Sequence, residues 1–169
     1  DFCRVADNIA DDKDKIEVKE KKFAEFENDF NQKKFDNLII KNMWGIMEEF
    51  NISIKIVQDL LTGIKSDIKE KVEINSKKEL LIYSYRVAGT VGLMMAKILN
   101  VTKKNSLKSA IDLGIAMQLT NISRDVLEDS KNNRFYIEEN FETISSTVNL
   151  ANRYYQDSFY AIKSIPLSF

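Results

Sequence analysis

The residues best equipped for chemistry are Gln118, Asn121, Asp125 and Asp129, inside the stretch AIDLGIAMQLTNISRDVLEDSKNNRFY that runs from Ala110 to Tyr136. Asn121, Asp125 and Asp129 recur every four residues, so a helix of about 3.6 residues per turn stacks them on one face, with Gln118 one turn earlier. The rest of the stretch is apolar in the manner of a buried helix. An unpaired buried charge costs several kcal/mol, so these carboxylates need a partner. A divalent cation is the simplest one.

A second copy of the device opens the chain. In FCRVADNIADD, Asp7 and Asp11 share a helical face, with Arg4 one turn before Asp7. Thirteen aspartates in 169 residues supply roughly one such pair by chance, so spacing alone is not specific. The interleaved Val5, Ala6, Ile9 and Ala10 make the context an amphipathic helix. Carboxylate pairs without histidine or an obvious nucleophile are poor equipment for an acid–base relay, but they suit magnesium. That ion takes oxygen ligands, usually one or two of them protein carboxylates, and completes its shell with water and substrate phosphate. A diphosphate is the natural missing ligand, and Arg4 and Arg124 add bidentate donors for its oxygens. Once the diphosphate's charge is neutralised, the carbon–oxygen bond that holds it is easier to break. On spacing alone a plainer reading stays open, in which Asp125 and Asp129 pair with lysines on a solvated face.

Composition narrows the rest. Hydrophobic residues make up 44% of 169 positions, enough for the core of one domain. The net charge of −1 gives no field that would gather nucleic acid or an anionic membrane, so an anionic ligand must be held locally. The composition is that of a soluble chain. A lone Cys3 excludes an intrachain disulfide and suits a reducing cytoplasm, and no run of about 18 apolar residues suggests a membrane span. With no histidine, Ser-His, Cys-His and His-metal chemistry are excluded within these residues. Five glycines and one proline include neither a dinucleotide fingerprint nor a P-loop, and so few turn residues among long amphipathic segments predict an all-α fold. The first residue is not methionine and Phe2-Cys3-Arg4 reads as mid-helix, so we expect a truncated single domain over 1–169 that lacks both flanks, leaves apolar faces uncovered and does not work alone.

The elements that must position these residues follow in order. Asp12 to Glu27 is densely charged, with apolar positions at Ile16, Val18, Phe23 and Phe26, and reads as a solvated loop and outer helix face. Phe35 to Phe50 carries a core stripe of Leu38, Ile39, Met43, Trp44, Ile46 and Met47. Ser53 is a helix cap with Ile52 and Val57 as a hydrophobic staple, and Ser76 with Glu79 forms a capping box for a helix from Lys77 to about Leu99. Inside that helix Ala88, Gly89, Gly92 and Ala96 form a small-residue strip, where each glycine costs about 1 kcal/mol against alanine. Something approaches the backbone there, either a neighbouring helix or a long ligand lying in a groove. A polar connection spans Asn100 to Asn105. The last helix runs through Val148, Ala151, Tyr155 and Phe159, with Tyr154, Tyr155 and Tyr160 as packing aromatics and Pro166 near its boundary.

Gln118, Asn121, Arg124-Asp125, Asp129 and Arg134-Phe135-Tyr136 closely resemble the second aspartate-rich motif of the squalene and phytoene synthase family. Arg4, Asp7 and Asp11 resemble its first, with Asn8 where a further aspartate is common. Tyr83 through Ile98, YSYRVAGTVGLMMAKI, resembles its remaining signature, and Gly63 and Asp67 also fall at family positions. One departure is Glu138, where the family usually has a proline that would fix a loop.

The resemblance implies an isoprenoid synthase fold, a helical bundle with a central cavity, in which two aspartate motifs face each other. It implies Mg²⁺, with Mn²⁺ as a substitute, held by Asp7, Asp11, Asp125 and Asp129, with Asn121 as an added ligand. Arg4, Gln118, Arg124 and Tyr83 would contact the diphosphate or guide the intermediate, and Val87, Val91 and Leu119 would shelter a carbocation. The implied reaction is a head-to-head condensation of two prenyl diphosphates through a cyclopropyl intermediate, geranylgeranyl diphosphate to phytoene by preference. It also implies a cytoplasmic enzyme, with a peripheral contact at the inner membrane for product release and no obligate protein partner. A farnesyl-using squalene or dehydrosqualene synthase, with or without nicotinamide, is the chemical alternative. A non-catalytic relative acting as an assembly factor is the alternative of another class, against which the four retained aspartates speak.

Overall fold

The computed structural model describes residues 1–162, with side chains through residue 159. Contacts divide the chain into two compact units, 1–70 and 71–169.

The first unit holds α1 (Phe2–Asp11), α2 (Ile16–Asn31), α3 (Leu38–Glu49) and α4 (Ile54–Lys65). On α1, Phe2, Ala6 and Ala10 recur every four residues and are buried together. The Phe2 ring lies 5.1 Å from Phe26 and 5.2 Å from Phe30, and Phe30 stacks on Trp44 at 5.3 Å. The Trp44 indole N–H donates to the Phe30 carbonyl at 3.0 Å, which satisfies the one polar atom of a buried ring. The charged segment behaves as an outer helix face: α2 buries Phe23, Phe26 and Phe30 and leaves Val18 outside. In α3 the core stripe is Ile40, Met43, Trp44 and Met47, while Leu38 and Ile46 face out. The side chain of Asn37 accepts the Ile39 N–H at 3.0 Å, so the helix begins at Leu38 and Phe35 lies outside it. Ser53 caps α4 by accepting the Lys55 N–H at 3.3 Å, and Ile52 and Val57 are both buried beside it.

The second unit holds β1 (Val72–Glu73), α5 (Lys77–Ser84), a π-helical segment (Tyr85–Gly89), α6 (Thr90–Ile98), α7 (Lys104–Lys131), β2 (Arg134–Phe135) and α8 (Phe141–Ile162). Ser76 Oγ accepts the Glu79 N–H at 3.2 Å; the Glu79 carboxylate reaches back at 2.9 Å to the N–H of Asn75, one residue before the cap. The single helix expected from Lys77 to Leu99 is broken by the π segment, a wider turn that shifts register by one residue. Thr90 Oγ donates to the Arg86 carbonyl at 2.6 Å across that turn.

Two of the small residues explain how α6 meets α7. A Cβ on Gly92 would collide with the carbonyl oxygen of Ala110, and one on Gly114 with the carbonyl oxygen of Ala88 and the Gly89 Cα. The helices therefore run antiparallel in backbone contact, position 92 on 110 and 88 on 114. Every glycine in the chain lies within a helical element, and the left-handed residues are Lys33, Asn51, Asn100 and Asn133. Asparagine does at these helix ends what glycine often does, because its short polar side chain tolerates that conformation.

The strands form a parallel ladder that composition did not announce, Val72 opposite Arg134 and Glu73 opposite Phe135. The Val72 N–H donates to the Asn133 carbonyl at 2.9 Å and the Ile74 N–H to that of Phe135 at 3.0 Å. Around it the core gathers Leu80, Tyr83, Ile115, Leu119, Ile122, Tyr136, Leu150 and Ala151, with Tyr154 and Tyr155 packed at its edge as expected. Helix α8 runs through Val148, Ala151, Tyr155 and Phe159 as expected, with Val148 and Phe159 facing outward. The Tyr160 side chain and Pro166 lie outside the described residues. Among the described residues no helix is long and apolar enough to cross a membrane.

Candidate active site

Helix α7 carries two apolar faces. One, with Ile115, Leu119, Ile122 and Val126, is buried in the core; the other, with Leu113, Met117 and Gly114, lines a groove against α6. The polar row lies between them. Gln118, Asp125 and Asp129 are half-buried and Asn121 and Arg124 are exposed, so these groups are less buried than the apolar sequence around them suggested. The reason is the second apolar face, which borders an open groove rather than packed protein.

Within the row, Arg124 holds Asp125: Nε donates to Oδ1 at 2.6 Å and an Nη to Oδ2 at 2.5 Å. The guanidinium keeps the Asp125 carboxyl below the usual carboxylate range. Asp129 behaves oppositely, because burial pushes its carboxyl up, against the pull of the nearby Arg134. Asp125 thus pairs with an arginine of its own motif rather than with a lysine.

The groove has a volume of about 410 Å³. Val87, Ala88, Val91 and Met95 come from one side and Leu113 and Met117 from the other, and Gln118 and Asn121 close one end. Asp125 lies one helical turn, about 6 Å, beyond Asn121. What approaches the small-residue strip is a neighbouring helix: Gly92 and Gly114 admit backbone, and an apolar groove lies along the same contact. Met95 and Met117 are 51% and 53% exposed, so the channel's walls are uncovered apolar surface. Val87 and Val91 stand where a sheltering wall was expected; Leu119 does not, being fully buried in the core on the other face.

Tyr83 is buried in that core and absent from the groove lining. Its hydroxyl donates to the Tyr136 hydroxyl at 3.1 Å, and the rings stack with centroids 4.8 Å apart. Tyr136 was legible only as the last letter of a motif, and no spacing rule pairs it with a residue 53 positions away. Glu138 sits in the turn that follows, where its carbonyl and its carboxylate accept from the Asn140 backbone and side-chain amides at 2.9 and 2.8 Å. That turn is closed by Asn140 instead of by a proline ring.

In the first unit Arg4, Asp7 and Asp11 are exposed on the face of α1 opposite Phe2, Ala6 and Ala10. Partial burial and then the neighbouring Asp11 raise the Asp7 carboxyl above its ordinary range. Burial also pushes the Cys3 thiol up, one turn before Asp7. Among the described residues no three His, Cys, Asp or Glu side chains converge on one point. The donor sets are carboxylate pairs of hard oxygen atoms one turn apart, and such pairs fit magnesium, which takes one or two protein carboxylates and fills its shell from water and ligand.

The helical architecture is that of the isoprenoid synthase fold. It superposes on a squalene synthase from Alicyclobacillus acidocaldarius with a TM-score of 0.80 at 14% identity, over 98% of this chain and 71% of that one. A dehydrosqualene synthase solved with a ligand gives 0.75 at 28% identity, over 98% and 66%. The sequence model of the squalene/phytoene synthase family matches residues 1–141, and the chain belongs to that family. Among curated relatives, phytoene synthase 2 of Solanum lycopersicum is 33% identical over 80% of this chain and 46% of its own length. Phytoene synthase 1 of Zea mays is 40% identical over 54% and 23%, and the 15-cis-phytoene synthase of a Paracoccus strain 43% over 47% and 26%. The chain thus spans less than half the length of these relatives.

Proposed function

We propose that this chain supplies the two aspartate motifs and part of the tail channel of an enzyme that joins two prenyl diphosphates head to head. The preferred substrate is geranylgeranyl diphosphate and the product phytoene, formed through the cyclopropyl diphosphate. The observation that carries the reading is the apolar groove beside α7, which runs to Gln118 and Asn121 one turn short of Asp125. A ligand with a long apolar tail and a charged head matches that order of surfaces.

In this reading 1–169 is one truncated domain. Asp125 and Asp129, with Asn121, and Asp7 and Asp11 hold Mg²⁺. When bound there, the ion would supply the positive charge that a departing diphosphate needs. Arg124 and Arg4 bind phosphate oxygens through planar forks, Gln118 orients the head group, and the walls from Val87 and Val91 keep water from the allylic cation. Tyr83 guides the intermediate from the core side of the polar row. No histidine is required, because the departing diphosphate can take the last proton.

The test is to incubate the full-length enzyme with geranylgeranyl or farnesyl diphosphate and Mg²⁺ and to identify the hydrocarbon. Phytoene is expected. Exclusive C30 product would transfer the assignment to the farnesyl-using branch, and no turnover of either would favour a non-catalytic relative.

A further inference from the structure

We propose that Tyr136 is a positioning residue that holds the Tyr83 hydroxyl in its working orientation, an inference that rests on the proposed function for Tyr83's part in the reaction. The two rings stack at 4.8 Å with planes 23° apart, and the hydroxyls are bonded at 3.1 Å. Both rings are buried, Tyr83 at 9% and Tyr136 at 6% exposure, so the bond forms where a misplaced hydroxyl would be costly. A tyrosine ring has few rotamers, and once stacked its hydroxyl is held here by the bond to the Tyr136 hydroxyl.

The fold places Tyr136 with care. It follows β2 directly, and the ladder bonds from Val72 and Ile74 fix β2 against the chain just before α5, the helix that carries Tyr83. The pair is also next to the polar row. Tyr83 packs in a cluster with Ile122, which lies about 40° around α7 from Gln118, with Asp125 about 20° to the other side. Arg134, two residues before Tyr136, opposes the burial that raises the Asp129 carboxyl. Tyr136 itself is not in the groove lining and is assigned no contact with substrate.

The experiment compares full-length wild type, Tyr83→Phe, Tyr136→Phe and the double variant with geranylgeranyl diphosphate and Mg²⁺. Phenylalanine keeps the stacked ring and removes only the hydroxyl. Tyr136→Phe should lower kcat about tenfold with KM within about twofold, and the double variant should be no slower than Tyr83→Phe alone, since a positioning residue has nothing left to position. Wild-type kcat in Tyr136→Phe, or losses that multiply in the double variant, would overturn the inference alone. Wild-type enzyme that turns over neither prenyl diphosphate would overturn the proposed function and this inference with it.

Discussion

Arg124 binds the carboxylate of its own neighbour, Asp125, through two parallel hydrogen bonds. Residues adjacent in a helix point about 100° apart, so the pair closes only because the long arginine side chain folds back. Both groups have other work in the proposed reaction, and a diphosphate with its ion would have to take the pair apart. Arg124→Lys keeps the charge and loses the fork; KM for the diphosphate should rise about tenfold with a smaller change in kcat. Steady-state kinetics over a range of Mg²⁺ concentrations check this.

Asp125→Asn removes a charge from a half-buried site without changing its shape. Turnover should fall by at least about a hundredfold while the thermal midpoint moves by only a few degrees. Unchanged turnover with wild-type metal dependence would refute the enzyme reading, and calorimetry on the same sample separates loss of chemistry from loss of fold.

Gly92→Ala and Gly114→Ala each push a methyl group into a backbone carbonyl of the neighbouring helix. A backbone atom cannot swing aside, so α6 and α7 must separate. Each substitution should cost about 1–3 kcal/mol, read from the urea midpoint. Gly45→Ala, where an added Cβ meets nothing within 4 Å, should be neutral or slightly stabilising.

Lys108 holds the buried carboxylate of Asp112 at 2.5 Å on α7. That bond raises the lysine above its ordinary range. Because the folded value lies above the unfolded one, the contribution is complete below the ordinary lysine range and is lost as pH rises through the raised value. Lys108→Met should therefore lower the urea midpoint at pH 7, and the gap from wild type should narrow above about pH 10.5.

Much of this was written in the sequence because helices follow local rules. Ser53, Ser76 and Glu79 could be assigned as caps from residue type alone, and Met43, Trp44 and Met47 as core from their spacing. The aspartate pairs were legible for the same reason, a four-residue repeat. What escaped depends on distant contact. The bond of Tyr83 to Tyr136 and the Val72–Arg134 ladder join segments that no periodicity links. The polar row proved less buried than its surroundings implied because a single helix can present two apolar faces, one to the core and one to a channel, and hydropathy alone cannot tell them apart. The left-handed turns at Asn51, Asn100 and Asn133 contain neither glycine nor proline, the residues that usually mark such turns, so their conformation was not legible from residue type.

The Gly92–Ala110 and Ala88–Gly114 contacts act as a fixed ruler between α6 and α7. Their register is set by main chain on main chain, so side chains on the channel walls can change in size without sliding one helix along the other. Under the proposed function, tail length and head-group chemistry are therefore separable: Val91, Met95 or Met117 would vary with the chain to be held while Gln118, Asn121 and Asp125 keep their places.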